Sequence, residues 1–281
     1  MSRRLLGAFA AALTGATLLA VGAPAVAAPT APPAPAVVVD FTGIVALSNC
    51  SGALVRPANA ALTDPAMVMT NGHCVKFMAT NEVIVNQTST RTFSLLDPTG
   101  SRTVATLRAT HLAYATMSGT DVALYRLSQS YSQIQTATGI RALDLATTHP
   151  VAGTDIRVVS GYWKRIYTCR IEAFVYSVRE YNWTWRDSIR YASSSSCQTI
   201  GGTSGSPIVD VATGRVVGVN NTSNEDGGRC TLNNPCEVSS TGAVTVRPGA
   251  RYGQQTYQVN ACLGAGNTVT LTAPGCTLAR P

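Results

Sequence analysis

Histidine is scarce in this chain of 281 residues: only His73, His111 and His149 occur, and no Cys-x-x-Cys pair is present. A zinc site of the finger type, which needs four clustered thiolate and imidazole ligands, therefore finds no material. Charge is sparse as well, with Asp, Glu, Lys and Arg making up 12% of residues against 45% hydrophobic ones. That balance can fill a core and excludes a globally disordered chain. Beyond the first 30 residues no apolar run reaches bilayer-spanning length, which argues against an integral membrane protein. Long stretches with the apolar period of a helix are missing too.

Present instead are short β-prone runs broken by turn residues: Val37–Leu47, Ala66–Thr70, Glu82–Asn86, Thr103–Arg108, Val122–Leu127, Asp155–Ser160, Arg170–Val178, Ser206–Val211, Val216–Asn220, Ala243–Val246 and Thr268–Thr272. Thr213-Gly214 lies between two of them and suits a hairpin turn. Many short strands at this spacing predict an all-β chain of antiparallel barrels or sandwiches.

The N-terminus carries a different signal. Arg3 and Arg4 precede an apolar run from Leu5 to Val21, and Ala25-Val26-Ala27 supplies small residues for cleavage. Residues 1–27 read as a secretory signal peptide, and the Pro/Ala-rich residues 28–36 as an extended linker or short propeptide. Loss of Arg3 and Arg4 would lower the formal net charge from +7 to +5, which by itself asks for no nucleic acid or acidic polymer. Eight cysteines follow the signal: Cys50, Cys74, Cys169, Cys197, Cys230, Cys236, Cys262 and Cys276. An even number in an exported chain predicts four disulfides, although about a hundred connectivities are open and spacing alone does not choose among them.

Three segments bear chemistry. In Gly202-Thr203-Ser204-Gly205-Ser206-Pro207, glycines on both sides of Ser204 permit a sharp turn that exposes its hydroxyl. Such a turn can aim the N–H groups of Gly202 and Ser204 into one space, where they would stabilise an oxyanion. A serine hydroxyl needs a base. His73, in Thr70-Asn71-Gly72-His73-Cys74, follows an apolar strand and adjoins a cysteine, whereas His111 and His149 lie in featureless stretches. A carboxylate must orient the imidazole, and Asp121 stands at the head of the apolar run Val122-Ala123-Leu124-Tyr125.

Together these segments resemble the chymotrypsin-like serine protease family, in the order His73, Asp121, Ser204, with Cys50-Ser51-Gly52-Ala53-Leu54-Val55 similar to the strand before the family's histidine. The Gly-x-Ser-Gly-Ser-Pro form looks most like the bacterial glutamyl-endopeptidase branch. The resemblance implies two antiparallel β-barrels, about residues 37–145 and 150–281, with the active site between them. It implies a secreted, extracellular serine endopeptidase, monomeric, acting on polypeptide through an acyl-enzyme, without metal or organic cofactor and without nucleic acid or membrane as partner. The alternatives are a protease-fold binding protein without turnover and an esterase-type hydrolase. An α/β-hydrolase is excluded because no histidine follows Ser204.

By the same resemblance, Gln198 and Thr199 before the serine and Asn220, Asn221, Thr222 and Ser223 after it would line the substrate pocket. Gln198 stands where trypsin-like members carry Asp. Thr199 matches the glutamyl branch, but Asn220 replaces its histidine. Thr203 takes the place of the family's Asp or Asn, and Ser206 that of its second glycine. The resemblance also implies the pair Cys50–Cys74. Cys169–Cys197 is expected beside the serine with other partners in reach. Cys230–Cys236 is favoured by the turn formers between them, which leaves Cys262–Cys276. Trp163, Trp183 and Trp185, set among Arg165, Arg170, Arg179, Arg186 and Arg190, read as an aromatic-faced hairpin of the second barrel. Stacked bases of single-stranded nucleic acid are the weaker reading for a chain with an export signal.

Overall fold

The computed structural model describes residues 37–281. The expected signal peptide (1–27) and linker (28–36) lie outside the described residues. Strands dominate, and each half of the molecule closes on itself.

The first half contains β1 (Ile44–Ala46), β2 (Ser51–Arg56), β3 (Pro65–Thr70), β4 (Val83–Thr88), β5 (Thr92–Leu96), β6 (Thr103–Thr116) and β7 (Val122–Ser130), with a two-residue β8 (Leu143–Asp144). Antiparallel pairings run β1–β5–β6–β7–β3–β2, and β2 returns to β1, so six strands form a closed barrel. Closure removes the open edges that a flat sheet would expose. Strands β2 and β3 are buried almost throughout, because their outer faces are covered as well as their inner ones.

The second half contains β9 (Asp155–Ser160), β10 (Arg165–Glu180), β11 (Trp183–Tyr191), β12 (Pro207–Asp210), β13 (Val216–Ser223), β14 (Cys236–Val238), β15 (Val244–Val246) and β16 (Arg251–Gln255). Its ring is β9–β10–β11–β16–β13–β12 and back to β9, with the β14–β15 hairpin attached to the far end of β10. Gly214, at φ +69°, makes the turn between β12 and β13.

The β10–β11 hairpin is the longest in the molecule and reaches over the first barrel. Trp183 and Trp185 share a core with first-barrel residues such as Met78, Leu107 and Met117. Their indole N–H groups donate to Met78 O (2.9 Å) and Met117 O (3.0 Å). Truncating a buried tryptophan of this kind costs about 3–5 kcal/mol. The expected aromatic face is thus split: Trp183 and Trp185 are core, while Trp163 sits in the β9–β10 turn, half exposed.

Two expectations need correction, and one element was not foreseen. Val37–Leu47 is a strand only over Ile44–Ala46, since the preceding residues run along the surface, with Val37 N–H donating to Val211 O. Thr268–Thr272 is not a strand. It follows a 3₁₀ turn at Ala265–Asn267 and is pinned by Cys262–Cys276 and by Asn267 donating to Pro65 O and the Tyr131 hydroxyl. A short helix, α1 (Tyr131–Thr138), occupies a stretch to which the sequence reading assigned no element. The Ser130/Gln133 capping box and left-handed Gly139 close its two ends.

Candidate active site

Strand β3 ends at Thr70, and the chain turns at once through Asn71, Gly72 and His73. Only glycine fits at 72: a Cβ there would lie 2.1 Å from Thr116 O and 3.0 Å from an Asp121 carboxylate oxygen. The close approach brings His73 against Asp121, which is fully buried at the start of β7. His73 Nδ1 and Asp121 Oδ2 are 2.7 Å apart, and the His73 backbone N–H donates to Oδ1 at 3.1 Å. Two bonds to one carboxylate hold both the ring and the backbone of His73. Burial alone would push the imidazole's pKa down, but the charge of Asp121 and its hydrogen bond outweigh this, Glu180 adds to them, and the net result is raised. The Cys50–Cys74 disulfide ties the same turn to the start of β2.

Asn71 joins the two halves of the site. Its side-chain N–H donates to Asp121 O (2.8 Å), and its Oδ1 accepts from Gly205 N–H (2.6 Å). The sequence motif contained Asn71 without a role for it, because the partner Gly205 is 134 residues away.

The serine turn is built from left-handed glycines, Gly202 at φ +85° and Gly205 at +81°. A Cβ on Gly205 would come within 2.1 Å of both Ser51 O and Thr70 Oγ1. Ser51 N–H donates to Ser204 O at 2.8 Å, and the Ser51 hydroxyl to Gly202 O at 3.2 Å, so β2 buttresses the turn from the first barrel. Thr203, which takes the place of the family's Asp or Asn, turns inward: its hydroxyl donates to Ile200 O and accepts from the Asn220 side chain. Among the described residues, the N–H groups of Gly202 and Ser204 donate to no acceptor. The Ser204 hydroxyl donates to Asn221 O at 3.3 Å and not to His73. Ser206 is fully buried and its hydroxyl has no partner.

His73 and Ser204 open on one cleft of about 220 Å³. Thr199, Asn220, Asn221, Thr222 and Ser223 line it, as does Gly202. Gln198 does not: it lies exposed outside the cleft, accepting from Arg251 Nη2 (2.5 Å) and donating to Ser194 O (2.7 Å). Asn220 is spent internally, donating to Thr203 and accepting from the Tyr191 hydroxyl. Glu180, Phe77 and Trp183 also line the cleft, and sequence reading gave Glu180 and Phe77 no role. Larger hollows of about 550, 790, 530 and 480 Å³ lie elsewhere; of these the 530 Å³ one has a histidine in its wall, His149, and no serine.

His111 is engaged by Thr110 and Arg126, and His149 by Asp187 and Gln255; neither lines the cleft. Cys50, His73 and Cys74 lie close enough together to share a metal ion, but both sulfurs are committed to their disulfide. The remaining pairs are Cys169–Cys197, Cys230–Cys236 and Cys262–Cys276.

The sequence profile of the trypsin-like peptidase domain matches residues 50–219. No curated protein matches the chain. Among solved structures, the active form of the Rv3671c protease from M. tuberculosis is similar at 17% identity, covering 93% of this chain and 97% of that one, with a TM-score of 0.50. The Nocardiopsis protease NAPase (15% identity, 77% and 92% covered, TM-score 0.43) and a Glu endopeptidase (15%, 76% and 85%, 0.42) are further similar structures. At these identities the likeness concerns the fold.

Proposed function

The chain belongs to the trypsin-like peptidase domain family, and on that premise we propose that it is a secreted serine endopeptidase acting through His73, Asp121 and Ser204. The observation that carries this reading is the doubly bonded His73–Asp121 pair, opening on the same cleft as a serine flanked by two unpaired N–H donors.

In the reaction, the Ser204 hydroxyl leaves Asn221 O and turns towards His73 Nε2. His73 takes the proton as Oγ attacks the scissile carbonyl. The new oxyanion is held by the N–H groups of Gly202 and Ser204, which have no other acceptor among the described residues to give up. His73, now cationic beside Asp121, passes its proton to the leaving amine, and the acyl-enzyme forms. Water then gives a proton to His73 as its oxygen attacks the ester carbonyl, and when the bond to Oγ breaks His73 returns that proton to Ser204, so the carboxylic acid product leaves and the enzyme is regenerated.

Export is supported by the N-terminal signal pattern and by four disulfides, which persist in oxidising compartments. Among the described residues no helix is long and apolar enough to cross a membrane. Incubation of the purified mature protein with a proteome digest, followed by mass spectrometry, tests the reading. New peptide ends that vanish in Ser204→Ala support it. Ester cleavage without peptide cleavage would favour the esterase, and neither activity the binding protein.

A further inference from the structure

Two glutamates of the second half are buried or nearly so, and they are treated differently. Glu237 is bonded by Arg190 (2.6 Å) and Arg247 (2.9 Å), and these cations outweigh its burial and hold its carboxyl below the usual range. Glu180, only 5% exposed, has no lysine or arginine bonded to it among the described residues. It accepts instead from Thr222 Oγ1 (2.5 Å) and from Asn233 N–H (2.9 Å), and burial pushes its carboxyl upward. A buried carboxylate with no lysine or arginine bonded to it is costly, and the charge of His73, which favours its ionised form, is present only when that ring is protonated. This one lines the substrate cleft, where a cation can arrive with the ligand.

The surroundings suit such a cation. No lysine or arginine lines the cleft, and a second carboxylate, Glu225, stands at the same wall. Phe77 is stacked between His73 (6.4 Å) and Trp183 (5.7 Å), so an alkyl stem would meet flat aromatic surface on its way to the carboxylate. Asn221, 4% exposed in the same lining, has both amide atoms unpaired, a second sign of polar groups held for a ligand.

The sheet gives the direction. Pairing of β12 with β13 ends at Val219, whereas β16 covers the other edge as far as Ser223. The edge from Asn221 to Ser223 is therefore open to an extended peptide, added antiparallel like the rest of the sheet. With its scissile carbonyl near Ser204 and Asn221, such a peptide sets the preceding residues beside Thr222 and Ser223, next to Glu180. The geometry points to Glu180 as a specificity-determining residue that selects a lysine or arginine side chain N-terminal to the scissile bond. The inference rests on the peptidase reading for the direction of the peptide.

Glu180→Gln is the apt variant, since its carbonyl oxygen can keep Asn233 N–H and its amide can donate to Thr222. Binding is measured on Ser204→Ala protein with two peptides that differ only in lysine against norleucine before the cleavage position. The lysine peptide is expected to bind about tenfold tighter or more, the worth of a hydrogen bond to a charged group. Adding Glu180→Gln should abolish that difference. Equal binding of the two peptides, or a difference that survives Glu180→Gln, overturns the inference. The unmutated enzyme gives a check that needs no variant: cleavage sites in a proteome digest should be enriched in lysine and arginine upstream of the scissile bond, and their absence overturns it equally. Lysine-selective binding that depends on Glu180, found in a protein that cleaves nothing, would leave the site standing and sink the peptidase reading alone.

Discussion

The two halves of the molecule prepare the cleft in opposite ways. The first barrel leaves nothing loose: His73 is held at ring and backbone by Asp121, Asp121's own carbonyl is held by Asn71, and a disulfide ties down the turn. The second barrel keeps groups unspent. Among the described residues the Gly202 and Ser204 N–H groups have no acceptor, the Ser204 hydroxyl rests on Asn221 O, and buried Glu180 has no lysine or arginine bonded to it. Groups that must not move are over-determined, and groups that must meet a ligand are left under-bonded. That division is what preorganised catalysis requires, since unpaired donors aimed at developing charge need no reorganisation when the charge appears.

The largest break in this comparison comes from its two meeting points. Ser204→Ala or His73→Ala should lower turnover by roughly 10⁴ to 10⁶ while the fold is kept, measured as kcat/KM on a peptide substrate. Asp121→Asn should follow at roughly 10⁴, because it turns the imidazole to the wrong tautomer.

The pH profile sharpens the same comparison. His73 must be neutral to act as base, and Asp121 raises its pKa. Activity should therefore climb with pH through an inflection above the ordinary histidine value, and in Asp121→Asn the inflection should move down. Stability has the opposite sign: the His73–Asp121 contribution is full below the unfolded-state pKa of histidine and fades as pH rises through the raised folded-state value. Thermal unfolding across that window, compared with His73→Ala, measures it.

Asn71→Ala removes the one side chain bonded to both the acid's backbone and the serine turn. Gly205 N–H keeps a second acceptor in Asn220 O, but Asp121 O is left unsatisfied, which should cost about 1–3 kcal/mol of stability and roughly ten- to a hundredfold in kcat, with KM less affected. The smallest effect is expected from opening Cys230–Cys236, which closes a separation of only 6 residues against 24 for Cys50–Cys74. In the chain-entropy model these loops are worth about 2 and 3.5 kcal/mol. The first loss should appear as weaker binding, since Asn233 lies in that loop, and the second as lower kcat.

Much of the architecture was legible because strand length and turn chemistry are local. Asp155–Ser160 matches a strand end to end, and Thr213-Gly214 sits at the β12–β13 turn. The α1 helix was missed although Ser130 and Gln133 spell its capping box, since eight residues show little periodicity. His73, Asp121 and Ser204 could be singled out because each lies in a short distinctive context. Asn71 and Glu180 could not, because their meaning comes from partners supplied by distant strands. Gln198 was assigned to the pocket by counting back from Ser204, and counting cannot foresee that Arg251 holds it outside.

Reaction with a fluorophosphonate, followed by peptide mapping, tests the central claim most directly, because the reagent modifies only a serine made nucleophilic by its surroundings. A single adduct on Ser204, absent in Ser204→Ala and formed far more slowly in Asp121→Asn, is the predicted result. No adduct on the folded mature protein, or an adduct on another serine while Ser204 stays unmodified, would contradict the account.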